Sequence, residues 1–308
     1  MTDTRAHRPK IIVITGAARG IGLATATILA GQGHRLVMSD IDGDLASKEA
    51  ANLADRATGF GLDVTDRNAF KAHLEMVEAE YGPIDTLINN AGIASASPNI
   101  LEQDPAITEK TIDINLKGVM NGTIEAIRLM KPRNQGQVVN VASLAGIMGV
   151  PGLAAYAASK FGVVGFTESV RSEFSDTGLQ FTVVMPGPVD TGMMDGTSSS
   201  PIVSMLKPEE MAAGIVEAVD LGKPRVALPR SSYLLARLSS IMPPSFGIRL
   251  ARWTKIDRIY TDYWLAYPIA FESREVIVPS VWSGGFGRRA VYSHLVFIAP
   301  EPAFVFAR

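Results

Sequence analysis

The chain has 308 residues, a formal net charge of −2 and no cysteine. That length suits one large α/β domain or two small ones, with a substantial buried core. The balanced charge and the lack of basic runs argue against a nucleic-acid binder, and the missing thiols exclude disulfides, thiol catalysis and cysteine-ligated zinc. The four histidines, at positions 7, 34, 73 and 294, are too scattered for a histidine metal site, so no metal is expected.

Arg5, Arg8 and Lys10 precede a short β-branched run, Ile11-Ile12-Val13-Ile14. The run is too short for the apolar region of a signal peptide and reads as a buried parallel strand. Thr15-Gly16-Ala17-Ala18-Arg19-Gly20-Ile21-Gly22 follows, then a helix rich in Ala and Leu over 23–30. Strand, glycine turn and helix form the context in which backbone N–H groups cradle a dinucleotide pyrophosphate. A second strand at 35–39 runs into Asp40, about 20 residues beyond the glycines, where a carboxylate accepts from a ribose 2′-hydroxyl and repels a 2′-phosphate. Arg19 pulls the other way, because a guanidinium in this turn can contact that phosphate. Asp40 carries the greater weight, so NAD is the expected cofactor and NADP the alternative.

Further strands are expected at 11–15, 58–62, 84–89, 137–142, 181–185 and 225–228, with helices between them, including 66–81 stopped by Gly82. This alternation predicts a doubly wound α/β fold of Rossmann type: a seven-stranded parallel sheet covered by helices on both faces, with ligand at the carboxyl ends of the strands. The stretch 134–159 carries no charge and has the length of a membrane span. Its Gln135, Asn140, Pro151 and glycines instead suit a buried strand, a substrate loop and the start of a helix. On that helix Tyr156 and Lys160 are four residues apart, so they share one face. A cation beside a phenol favours the phenolate and lowers its pKa. Ser143, thirteen residues before Tyr156, can hold a carbonyl or alcohol oxygen near the phenol. The set fits proton transfer to or from an alcohol oxygen.

With these motifs in order, residues 10–230 resemble the short-chain dehydrogenase/reductase family. Thr15-Gly16-x-x-x-Gly20-x-Gly22 is similar to its cofactor glycine motif, Leu62-Asp63-Val64 to its adenine-contacting segment, and Asn89-Asn90-Ala91-Gly92 to the motif after its fourth strand. Asn115 matches the helix Asn that supports the catalytic Lys through a water. Ser143, Tyr156 and Lys160 have the family spacing, and the run from Pro186 to Thr191 matches the motif that holds the nicotinamide end. The resemblance implies catalytic roles for Asn115, Ser143, Tyr156 and Lys160. It implies cofactor contacts for Gly16, Arg19, Gly20, Ile21, Gly22, Asp40, Ile41, Asp63, Val64, Asn90, Ala91, Gly92, Tyr156, Lys160, Pro186, Gly187, Val189 and Thr191. It also implies a small-molecule alcohol or carbonyl substrate, and a homodimer or homotetramer formed through helices near 105–130 and 155–175. A cytoplasmic location is expected.

The stretch 196–200, with Met193 and Met194, resembles the family's lid over the substrate, and Lys207-Pro208-Glu209-Glu210 opens a helix. The domain is expected to end near 230. Over 231–262 an amphipathic extension sets Leu234, Leu238, Phe246 and Trp253 among Arg237, Arg249 and Arg252. Such a stretch either packs on the domain, covering an apolar substrate pocket or a partner subunit, or lies on a membrane surface. The tail over 263–308 has no clear period and no assigned role. A silent nucleotide-binding protein or a membrane-associated one is the reading from another class.

Overall fold

A computed structural model describes residues 8–97, 99–150, 152–190 and 205–241. The expected fold is observed. Seven strands form one parallel sheet: β1 (Ile11–Thr15), β2 (Arg35–Asp40), β3 (Ala57–Gly61), β4 (Thr86–Asn89), β5 (Gly136–Val141), β6 (Leu179–Pro186) and β7 (Arg225–Leu228). Their order is β3-β2-β1-β4-β5-β6-β7. The chain therefore starts at the centre, winds outward on one side, then returns beside β1 and winds outward on the other. The gap between the carboxyl ends of β1 and β4 is the topological switch point, where ligands of such sheets bind.

The strands differ from expectation only at their ends. The strand expected at 84–89 starts at Thr86, because the Asp85 carboxylate turns to accept from the Ile11 N–H at 2.8 Å. Both faces of each central strand are buried. Ile12 and Ile14 point to the layer holding Leu29 of α1 (Gly20–Gly31) and Met211 and Ile215 of α7 (Pro208–Leu221). Val13 points to the opposite layer, with Phe70, Leu74 and Val77 of α3 (Arg67–Tyr81) and Met130 of α5 (Gly118–Met130). Each such side chain contributes about 1.5–3 kcal/mol on burial, so the β-branched runs commit the strands to the middle of the sandwich.

Helix starts follow their local signals. Asp42 caps α2 (Gly43–Ala51), Asp66 caps α3, and Asp104 caps α4 (Pro105–Ile112). Glu210 reaches back to the Lys207 N–H at 2.8 Å to start α7. Strand β5, one 3-10 turn (Leu144–Gly146) and the first residues of the 20-residue helix α6 (Ala154–Glu173) occupy most of the uncharged stretch. Among the described residues no helix is long and apolar enough to cross a membrane.

The first part of the extension is α8 (Arg230–Ile241). Ala236 is buried there and Tyr233 half-buried, both against the cluster of Leu144, Met148 and Val150. This part of the extension packs on the domain. Residues 242–308, and with them the atypical tail, lie outside the described residues.

Candidate active site

The glycine turn is built around one hydroxyl and one amide. Thr15, the last residue of β1, accepts from the N–H groups of Asn90 and Ala91, both at 3.1 Å. Asn90 Nδ2 in turn donates to the carbonyls of Thr15 and Gly16 at 3.0 and 2.9 Å. The two sides of the switch point are thereby tied together. Gly16 has φ +64°, and a Cβ there would stand 2.7 Å from the Ala91 Cα. At Gly22 a Cβ would meet the Gly16 carbonyl oxygen at 2.2 Å. Only glycine fits either position.

The first turn of α1 carries no acidic residue, and no side chain caps it. Its N–H groups and positive dipole end suit a pyrophosphate. Asp40 lies at the end of β2 and is buried; its Oδ2 accepts from Ala18 N at 3.0 Å and its Oδ1 from Asp42 N at 3.1 Å. Ile41 beside it is 74% exposed, an apolar surface suited to one face of an adenine. Asp63 Oδ1 accepts from the N–H and hydroxyl of Thr65, which shapes the turn after β3 around the buried Val64.

The four candidate catalytic residues come from three places. Asn115 lies in a π-helical turn (Asp113–Lys117) between α4 and α5. It is wholly buried, and its amide pairs with both backbone groups of Ile93 at 2.8 Å. Its Nδ2 also donates to Ser159 Oγ at 3.2 Å, which ties it to α6. Ser143, just past β5, accepts from Ala145 N at 3.1 Å and donates to the Pro186 carbonyl at 3.4 Å, and its hydroxyl lies close enough to the Tyr156 phenol to favour the phenolate. Lys160 is buried, and its Nζ donates to the Val141 carbonyl at 2.9 Å. Pro186 ends β6, and Gly187 and Val189 follow it. Gly187 N donates to the Leu228 carbonyl at 2.7 Å, and Val189 forms a parallel bridge with Leu206. Thr191 and the expected lid, with Met193 and Met194, lie outside the described residues.

The electrostatics correct one expectation. Lys160 Nζ sits 5.7 Å from the centre of the Tyr156 ring and bonds backbone, not the phenol. Burial pushes the Tyr156 phenol above its usual value, and the nearby Ser143 hydroxyl only partly opposes this. Burial also lowers Lys160 to about 8, since the low-dielectric interior disfavours its cation. The phenol of this site therefore holds its proton at neutral pH.

Thr15 and Ser159 are structural partners of the site that the sequence reading left without a role. A hydroxyl at the end of a strand, and one three residues past a candidate Tyr, are the signals that would have found them. Among the described residues no cluster of His, Cys, Asp or Glu could hold a metal.

The short chain dehydrogenase family pattern matches residues 10–201. This chain belongs to that family. Its short-chain dehydrogenase relatives include the 3-oxoacyl-acyl-carrier-protein reductase FabG of Thermotoga maritima, 37% identical over 67% of this chain and 89% of that protein. The cis-4-hydroxycyclohexanecarboxylate dehydrogenase of Sinomonas cyclohexanicum is 34% identical over 68% and 89%. Human estradiol 17-beta-dehydrogenase 11 is 33% identical over 79% and 82%. Among solved structures, a short-chain dehydrogenase/reductase from Burkholderia phymatum in complex with NAD shares the fold, with a TM-score of 0.69 at 23% identity over 75% of this chain and 92% of that one. As a short-chain dehydrogenase, the chain is an oxidoreductase of the NAD(P)-dependent kind that acts on small molecules.

Proposed function

We propose that the protein interconverts an alcohol and a ketone or aldehyde, with NAD preferred over NADP. The observation that carries this reading is the placement of the buried Ser143 beside the Tyr156 phenol at the carboxyl end of β5, with Lys160 held on the Val141 carbonyl and Asn115 tied to α6 through Ser159. The nicotinamide dinucleotide supplies the hydride chemistry when bound. Tyr156 gives its proton to the carbonyl oxygen during reduction and takes the hydroxyl proton during oxidation. Ser143 orients that oxygen and donates to the charge that develops on it. Lys160 places its ammonium beneath this pair, and Asn115 holds the 92–93 segment against α6.

Gly16, Arg19, Gly20, Ile21 and Gly22 would hold the pyrophosphate end, and Asp40, Ile41, Asp63 and Val64 the adenosine. Asn90, Ala91 and Gly92 would line the near ribose, with Pro186, Gly187, Val189 and Thr191 at the nicotinamide. NAD is favoured by the Asp40 carboxylate, which would repel a 2′-phosphate. An NADPH-dependent carbonyl reductase is the second reading, favoured by Arg19 in the turn. The amphipathic extension that follows residue 230 in the sequence favours a bulky apolar substrate.

Two measurements test this reading. Tyr156→Phe is expected to lower turnover by about 10²–10⁴-fold while cofactor binding is retained; near-normal turnover would end the assignment. Titration with NAD and NADP is expected to favour NAD, and Asp40→Ala to relax that preference.

A further inference from the structure

Arg19 is the only charged residue between Thr15 and Gly22, and it sits where a guanidinium can receive a 2′-phosphate. Its guanidinium is committed elsewhere. Nη2 lies 3.0 Å from Asp42 Oδ2 across the mouth of the glycine turn. Asp42 is itself held in place: its Oδ1 caps α2 by accepting from Leu45 N at 3.1 Å, and its N–H donates to Asp40 Oδ1 at 3.1 Å. Asp40 Oδ2 accepts from Ala18 N at 3.0 Å, which closes the circuit back to the residue before Arg19.

We propose that Asp42 is a specificity-determining residue: it draws Arg19 away from the ribose 2′ position and so withdraws the cation that would welcome NADP. The proposal rests on the reading above that Asp40 and the glycine turn face the adenosine ribose. Asp40 then disfavours the phosphate directly, and Asp42 disfavours it by occupying its counter-ion. The cap on α2 matters here, because most exposed ion pairs lose their gain to the entropy of ordering both side chains. Asp42 is ordered already, so only Arg19 must be held. Both side chains remain partly exposed, at 68% and 44%, so the pair tunes preference and does not lock it. An exposed pair of this kind corresponds to roughly a two- to fivefold change in affinity.

The test is a double-mutant cycle on the full chain, with NADPH and NADH each titrated by nicotinamide fluorescence. Asp42→Asn removes the charge but keeps a good cap for Leu45 N, and Asp42→Ser serves as a second charge-removing variant with a capping hydroxyl. Each is measured with Arg19 intact and with Arg19→Ala. The expected result is that removing the Asp42 charge tightens NADPH roughly two- to fivefold more when Arg19 is present than when it is absent. Equal tightening in both backgrounds would show Asp42 acting as a bare charge and would overturn the proposal, as would no tightening at all. The wild-type ratio of NADH to NADPH affinity judges the NAD reading separately. A wild type that prefers NADPH overturns that reading while the cycle still decides the role of Asp42. Binding of neither nucleotide overturns both.

Discussion

Lys160 gives its hydrogen bond to the Val141 carbonyl, 2.9 Å from Nζ, while the centre of the Tyr156 ring lies 5.7 Å away. The helix brings the two residues to one face, as their spacing requires, but a strand-end carbonyl receives the ammonium. Burial then dominates both groups, raising the phenol and lowering the lysine.

The first consequence concerns direction. A phenol that keeps its proton is ready to act as an acid, so carbonyl reduction should hold a flat rate through neutral pH and decline only above about pH 10, the ordinary phenol value. Alcohol oxidation needs the phenolate and should climb across the same range. Initial rates in both directions, with one ketone–alcohol pair, check this. An oxidation rate already flat at neutral pH would mean that the phenolate is formed there.

Ser143→Ala removes the only group that opposes the upward push on the phenol. The variant should shift the alkaline limb of oxidation to higher pH and lower kcat by about 10²-fold, as for the loss of one oxyanion donor. A drop in kcat with no displacement of the pH profile would assign Ser143 to substrate binding alone.

Asn90 joins β4 to the glycine turn through three hydrogen bonds, one from its backbone N–H and two from Nδ2. Asn90→Ala deletes the two side-chain bonds and leaves the carbonyls of Thr15 and Gly16 without that donor. A loss of about 1–3 kcal/mol in unfolding free energy is expected, together with weaker nucleotide binding. Chemical denaturation and cofactor titration measure the two effects, and retention of both would show that the turn stands without its amide tie.

His73 is buried and hydrogen-bonded to Ser39 at 2.8 Å, with the edge of Phe60 against its ring. Burial lowers its pKa from 6.5 to about 4. The folded state therefore binds fewer protons here than the unfolded chain between those values. The stabilisation is complete above about pH 6.5 and is lost as pH falls towards about 4, amounting to on the order of 3 kcal/mol. His73→Gln keeps a hydrogen-bonding amide and removes the titration. The stability difference between wild type and variant should change across this range in urea unfolding. A constant difference would show that His73 does not titrate there.

The fold was legible because its signals are local and repeated. β-branched runs ending in Gly, Asp or Asn marked the strand ends that meet at the switch point, and the four-residue spacing of Tyr156 and Lys160 put them on one face of α6. What remained hidden depends on partners distant in sequence. Asn140 sits inside an apolar strand, and no pattern along the chain shows that its amide meets Asn89 at 2.9 Å and Thr167 at 3.0 Å. Glu125 looks like a solvated helix charge, yet it is buried between Arg67 and Arg128. The direction of the Tyr156 shift was missed for the same reason. Spacing along a helix reveals neighbours, but burial depends on what the rest of the chain stacks above them.

The π turn that carries Asn115 widens a helix that would otherwise run unbroken from Pro105 to Met130. A turn of this kind holds one residue more than an ordinary one, so α5 is rotated by about 100° relative to the phase that α4 would impose. The buried face of α5, with Val119, Thr123, Ala126 and Met130, exists in register with the sheet only because of that surplus residue. Deleting any one residue of 113–117 would heal the helix and turn that face towards solvent. Such a deletion should cost the whole fold, whereas Asn115→Ala at the same place should cost mainly the brace. Comparing the two by thermal melting would separate the geometry of the turn from the chemistry of the side chain it presents.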